Sequence, residues 1–527
     1  MTTAQQPTLF DAAADGSDED PIADQAARDS IVHDLSSTLF VEAGAGAGKT
    51  TALVARVANL VEHGADIRSI APITFTEKAA AELRHRIRAE LAGSGSEYAI
   101  AALAHLDHAP IGTLHAFARR ILDDAALDAG LPPRFSVLDE LESNLRFDEE
   151  WEEYLDQLLR EPDPPAGIAA GGSEFAQLLD VAGFRLERDL RQVADDFRHD
   201  WDLVDAHVDR SDPGPIRLAL DAISARAAVI GATPTPPDDK QTLRVDEIRA
   251  LGLLVADGPT LRMRIDALDQ LRSRCEKVSR VGAKKNWGEH GGGDALDELR
   301  AEETALFELA DEVLTGFKAQ RRRVVGTVCG RFVVDAARRR VEAGSLEFHD
   351  LLVHTRRLLA TRSDVRRRLH DRYRYLLLDE FQDTDPIQLE IAVRLTADPD
   401  DPLHDADWRR LVPIPGRLFI VGDPKQSSYR FRRADIAQYL RAADQIGATT
   451  SRLTANFRSS EPVIRWVNDV FGRLIEADGL AQPAYQALDV ERPNDRERGG
   501  VTVLGADHHD PTSEKIDADE LRRREAV

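Results

Sequence analysis

At 527 residues with 42% hydrophobic content, the chain is long enough for two to four domains with ordinary cores. No apolar run reaches the roughly 20 residues of a bilayer-spanning helix, and the start lacks a basic-then-apolar signal, so no membrane partner and a cytoplasmic location are expected. A net charge of −25 argues against a generic nucleic-acid binder; only nine of the 68 basic residues are lysine, which suits a very salty interior, since at about 1 M salt the Debye length is roughly 3 Å.

In chain order, residues 1–20 are polar and acidic and read as a disordered tail. Ile22 to Leu35 reads as a short helix carrying Gln25 and Arg28. A glutamine just upstream of a phosphate loop can read an adenine edge, because its amide both donates and accepts. Alone it reads as an ordinary surface glutamine. Residues 38–51, TLFVEAGAGAGKTT, carry the strongest signal. Strand, glycine-dense turn, Gly-Lys-Thr and helix make a phosphate-binding loop. Ala43, Gly44, Ala45, Gly46, Ala47 and Gly48 would curl around the phosphates of ATP. The first helical turn, with Thr51, would add N–H groups and a positive dipole end. Lys49 can bridge the terminal phosphates and Thr50 can hold Mg²⁺. Ala43 stands where this pattern usually has glycine.

Ile70 to Thr76 reads as a second strand, followed by a helical segment, and Ile111 to Leu114 as a third short strand. Strands alternating with helices predict a parallel sheet. Residues from about 120 to 345 are charged and helix-periodic, with breaks at 131–134, 161–173, 211–215 and 231–239, and read as a helical insertion. Cys275 and Cys329 have no metal-type spacing and read as buried or incidental thiols. The stretch VGAKKNWGEHGGG (281–293) is basic around an exposed-looking Trp287. Contact with nucleic acid by charge and stacking fits it as well as a flexible surface loop does.

Strand signals return at Tyr375 to Asp379 and Arg417 to Gly422, where the sheet resumes. YLLLDEFQD (375–383) ends an apolar strand in Asp379 and Glu380, at the carboxyl end of the sheet, where open α/β folds bind ligands. There Asp379 can hold Mg²⁺ and Glu380 can orient and deprotonate an attacking water. In VGDPKQSSYRFRRAD (421–435), Gln426 can sense a γ-phosphate, and Tyr429 and Phe431 interleave with Arg430, Arg432 and Arg433 as single-strand binding requires. In LTANFRSSEPV (453–463), Arg458 can stabilise charge on a transferred phosphoryl group. The strand-like SRLTANF (451–457) is expected to open another domain.

The ordered set Gln25, AGAGAGKTT, ITFTEKAAAELRHRI, IGTLHAF, LLLDEFQDTDPIQ, VGDPKQSSYRFRRAD and LTANFRSS resembles the superfamily 1 DNA helicases of the UvrD/Rep type. With LEFHDLL (346–352), it is most similar to their RecB/AddA-like branch. The resemblance implies an α/β fold: a RecA-like phosphate-loop motor domain, a parallel sheet with flanking helices, split into 21–120 and 346–450. A helical insertion domain (121–345) interrupts it, and 451–527 would begin a second RecA-like domain. It implies 3′-to-5′ movement on single-stranded DNA and at duplex/single-strand junctions, in repair or recombination. It further implies Gln25 and Phe457 on adenine; Lys49, Thr50, Asp379 and Glu380 at Mg-ATP; Gln426 and Arg458 at the γ-phosphate; and Thr74, Phe75, Thr113, His115, Tyr429, Phe431 and Arg432 along the DNA track. Phe117 is assigned to the core. Ser428 and Arg433 depart mildly from the pattern, and the family's last motifs do not occur before Val527. A shortened chain, one half of a split helicase working with a second chain or a nuclease partner, and a non-catalytic remnant are the readings that follow. A small-molecule kinase or GTPase would share only the phosphate loop.

Overall fold

The computed structural model describes residues 22–160, 181, 186–207, 219–276, 281–427, 436–492 and 501. The tail at 1–20 and the track residues Tyr429, Phe431 and Arg432 lie outside them. The chain forms two compact units, one of residues 1–134 with 351–527 and one of residues 135–350. The division thus falls at 134 and 350, where the sequence pattern suggests 120 and 345.

The first unit is built on six parallel strands: β1 (Leu39–Ala43), β2 (Ile70–Thr74), β3 (Gly112–Thr113), β4 (Tyr375–Leu378), β5 (Leu418–Gly422) and β6 (Thr449–Leu453). Their order across the sheet is β3–β2–β4–β5–β1–β6. The inner strands are almost wholly buried and rich in Leu, Ile and Val, because helices cover both faces of a parallel sheet. Side chains alternate along β1. Leu39 and Val41 enter one core with Leu53, Val57 and Leu60 of the helix Lys49–Glu62, while Phe40 turns to the other face. There its ring meets Phe381 at 5.8 Å and Tyr439 at 5.1 Å. Arg56 is buried in the same helix, donating to the carbonyls of Ile31 (2.6 Å) and Asp34 (2.9 Å), which fixes the helix Gln25–His33 against it.

The expectation that residues 451–457 open another domain needs correction. Thr449–Leu453 pairs in parallel register with β1, Leu39 opposite Thr449 and Ala43 opposite Leu453, and is the edge of this same sheet. Only the following residues leave it: β7 (Ala455–Asn456) pairs with β8 (Asp489–Val490), flanking the helix Glu461–Leu474.

The second unit is helical, dominated by the 52-residue helix Gly292–Ala343. The strands Ser136–Val137 and Ser345–Leu346 pair near its two chain ends. Asp350 is fully buried and accepts from Arg340 (2.8 and 2.9 Å) and from the Trp201 indole (2.8 Å). Both cysteines are buried, and burial pushes each thiol up to about 12.

Trp287 is not exposed: its relative accessibility is 0%. The chain from 281 to 293 is pinned by Asp239, which accepts from Ala283 N (3.0 Å) and Asn286 Nδ2 (2.8 Å), while Lys284 pairs with Asp297. The polar flanks of Trp287 face outward and its indole faces in, so no base can stack on it. Among the described residues, no helix is long and apolar enough to cross a membrane.

Candidate nucleotide site and strand track

The carboxyl ends of β1, β2, β4 and β5 bring the predicted chemistry together. After β1 the loop turns through Gly46 (φ +73°) and Gly48 (φ +85°), backbone that side-chain-bearing residues resist, and Lys49 opens the following helix. Thr50 and Thr51 lie half-buried in its first turn. The Lys49 ammonium donates to Glu380 Oε2 at 2.8 Å, across 331 residues of sequence.

Glu380 has φ +52°, the one positive value outside glycine among the described residues. Backbone strain of this kind, about 1–3 kcal/mol, persists where the surroundings enforce it, and such residues cluster at functional sites. Gln382 supplies part of the enforcement. Its amide donates to Glu380 Oε2 (2.6 Å) and accepts from Asp423 N (2.8 Å), joining the ends of β4 and β5. Asp423 in turn accepts from Gln426 Nε2 at 2.8 Å. Lys49, Glu380, Gln382, Asp423 and Gln426 therefore form one hydrogen-bonded line.

Asp379 sits beside that line, its N–H donating to Ile73 O at 2.8 Å. Burial pushes its carboxyl up to about 6; the Glu380 charge adds to the rise and Lys49 partly offsets it. A buried carboxylate short of positive charge suits a cation. Among the described residues, no three His, Cys, Asp or Glu side chains converge on a metal. A Mg²⁺ held by Asp379 and Thr50 would complete its shell from phosphate and water oxygens, its usual habit. The raised value also sets a stability prediction. Because the folded pKa lies above the ordinary 3.8, the native state holds an extra proton between the two values, and deprotonation above about 6 costs stability. Asp379→Asn is expected to stabilise the ligand-free chain near neutral pH by on the order of 2 kcal/mol. In thermal melts at a series of pH values, the gain should shrink as pH falls through about 6 toward 4.

A second arm closes over the loop. Asn456 donates to Ala45 O (2.5 Å) and accepts from Arg458 N (3.0 Å) and Ser459 N (2.8 Å), and Phe457 N donates to Gly46 O (3.1 Å). Arg458 is exposed beside Gly46. A Cβ on Gly46 would lie 2.7 Å from Arg458 Cβ and 2.8 Å from Asn456 Nδ2. Gly46→Ala is expected to weaken nucleotide binding by about tenfold or more, through roughly 1–3 kcal/mol of strain, with the helical circular dichroism unchanged.

Behind this arm lies a pair that motif reading passes over. Asp24 and Arg28 are buried together, Nε to Oδ1 at 2.6 Å. Asp24 also accepts from Thr454 N (2.7 Å) and Ala455 N (3.0 Å), and Arg28 donates to Ala47 O (3.0 Å) and stacks over Phe457 at 4.9 Å. Gln25, half-buried on the same helix, donates to Asp29 at 2.7 Å.

On the other side of Asp379, Thr74 and Thr113 are register partners at the ends of β2 and β3. The Thr113 hydroxyl donates to Glu77 Oε1 at 2.8 Å, and Thr74's donates to Thr76 O at 3.1 Å. Phe75 and His115 follow them, both half-buried. Phe117 is in the core as expected, edge-on to Tyr373 at 4.8 Å.

The chain also resembles known proteins along most of its length. The chain is 26% identical over 522 residues to an ATP-dependent helicase/nuclease subunit of Ligilactobacillus salivarius, covering 87% of this chain and 39% of that protein. It is 26% identical to the protein of the same name from Bacillus velezensis, covering 91% and 42%, and 23% identical to the exonuclease/helicase subunit RexA of Lactococcus lactis subsp. cremoris, covering 86% and 40%. The chain thus spans about two-fifths of the length of these curated relatives. Residues 23–447, from the helix of Gln25 to beyond β5, match the UvrD/REP helicase N-terminal domain, and the chain belongs to that family.

Proposed function

We propose that this chain is the ATP-driven motor part of a DNA helicase that moves 3′ to 5′ along single strands during repair or recombination. The contact of Lys49 with Glu380 carries the reading, because it joins the phosphate loop to the acids of β4 where a terminal phosphate and its attacking water would meet. Lys49 and the loop N–H groups bind phosphate, and Asp379 and Thr50 would hold Mg²⁺, which would supply charge neutralisation at the phosphates. Glu380 orients a water and takes its proton. Gln426 and Arg458 respond to the γ-phosphate, and Gln25 and Phe457 hold the adenine.

Thr74, Phe75, Thr113 and His115 form the described part of the strand track. Asp379, which follows β4, bonds to Ile73 of β2, so a shift at the nucleotide would be felt at Thr74 next along the strand. The names of the relatives, a helicase/nuclease subunit and an exonuclease/helicase subunit, support work as one subunit of a helicase and nuclease complex. ATP turnover with and without single-stranded DNA tests the reading. Stimulation by DNA is expected, and turnover indifferent to DNA would contradict it.

The arginine-rich acidic composition supports a high-salt working environment. Dialysis from molar salt into dilute buffer should abolish the helical circular dichroism; full folding in dilute buffer would contradict that proposal.

A further inference from the structure

The amino ends of β2 and β4 lie about 16 Å along the strands from the ends that carry Thr74 and Asp379. There Arg374 N donates to Ser69 O at 2.9 Å, just before both strands begin. A half-open cleft of about 650 Å³ occupies this end of the sheet, within the roughly 300–1,000 Å³ typical of small-ligand sites. Its wall carries four arginines, Arg68, Arg120, Arg372 and Arg374, beside His108 and against two acids, Asp66 and Asp371. In a chain of net charge −25, that is a marked local excess of cations.

These cations are unequally engaged. Arg68 is held by Asp66 (2.6 and 3.0 Å), Arg120 donates to His108 O (2.9 Å) and Arg372 pairs with Asp124. Arg374 is exposed at the rim, and among the described residues its guanidinium has no ion pair. A second observation is independent of charge. Tyr373, also on the cleft wall, is 1% exposed, and its hydroxyl has no hydrogen-bond partner among the described residues. A buried donor left unmatched is destabilising, and a ligand oxygen would relieve it.

We propose that this cleft is an anion site for a phosphate-bearing ligand, with diphosphate the best-fitting group. Ligand binding uncovers the Tyr373 hydroxyl, which donates to one ligand oxygen, and Arg374, with Arg372 and Arg120 beside it, meets the others. Guanidinium forks match paired phosphate oxygens, and a recessed cleft excludes much of the water that would screen them. The phosphates belong either to a small free molecule or to a nucleic-acid backbone. This site lies at the opposite end of the sheet from the phosphate loop and does not depend on the reading of that loop.

The test is calorimetric titration with inorganic pyrophosphate. It uses the Lys49→Ala chain, which weakens the phosphate loop, at the lowest salt that keeps the protein folded. One bound pyrophosphate is expected. Tyr373→Phe, which keeps the ring against Phe117, should weaken it about tenfold without lowering the thermal stability of the free chain, and Arg374→Glu should abolish it. Competition by a short DNA oligonucleotide, dependent on Arg374, would assign the phosphates to nucleic acid; no competition would assign them to a free ligand. Absence of pyrophosphate binding in the Lys49→Ala chain would overturn the proposal, as would affinity unchanged by both Tyr373→Phe and Arg374→Glu. Failure of the phosphate-loop reading would show separately, as ATP binding that Lys49→Ala leaves unchanged.

Discussion

Glu380→Gln is expected to lower ATP turnover by about 10²–10⁴-fold, the range of a lost general base, while nucleotide affinity changes by no more than about threefold. The substitution keeps the side chain's size and its ability to accept from Lys49 and Gln382, so the hydrogen-bonded line survives. What it removes is the group able to take a proton from water. The strained backbone at Glu380, with φ +52°, aims that group at the Lys49 ammonium, and a phosphate bound by Lys49 would lie within its reach. Single-turnover hydrolysis separates the chemical step from binding and from product release. Turnover equal to that of the unaltered chain would remove Glu380 from the chemistry.

Asp24→Ala is the substitution expected to cost most stability, about 3–5 kcal/mol, because it strands the buried Arg28 guanidinium without a counter-charge. It also leaves the N–H groups of Thr454 and Ala455 without their acceptor, which loosens the arm that places Asn456 and Phe457 over the phosphate loop. Denaturant melts should show the loss. The double variant Asp24→Ala with Arg28→Leu should recover a large part of it, since the stranded charge is then gone. Nucleotide binding should stay weakened in both, because the arm is loosened in each and the double variant also loses the hold of Arg28 on Ala47 O and Phe457. An Asp24→Ala chain as stable as the unaltered one would mean that the ion pair is not what anchors the arm.

The parts of the site legible in sequence are those that pack strand, turn and charge into one short window. TLFVEAGAGAGKTT and LLLDE each specify a buried strand that ends in groups able to act, and the parallel sheet follows from the alternation of strands and helices. The acid–base pair of Asp24 and Arg28 is not legible in that way. Four residues apart on a helix, such a pair ordinarily faces solvent, and the segment that buries it lies 430 residues away. Gln382 is hidden for a related reason: its role depends on β4 and β5 being neighbours, which only the folded sheet provides. SRLTANF reads as the opening of a new domain because its strand character says nothing of which edge it joins, and that edge is β1. Trp287 reads as exposed from its polar neighbours, yet two short turns and the Asp239 carboxylate fold those neighbours outward around it.

The most direct measurement is equilibrium binding of labelled Mg-ATP to the folded chain, alone and with single-stranded DNA, beside Lys49→Ala. The expected result is binding displaced by ADP, altered in affinity by the DNA, and weakened at least tenfold by Lys49→Ala, in keeping with the loss of a charge-assisted contact of about 1.5–3 kcal/mol. Binding unaffected by Lys49→Ala, or no binding at any salt concentration that keeps the chain folded, would contradict the assignment of the site.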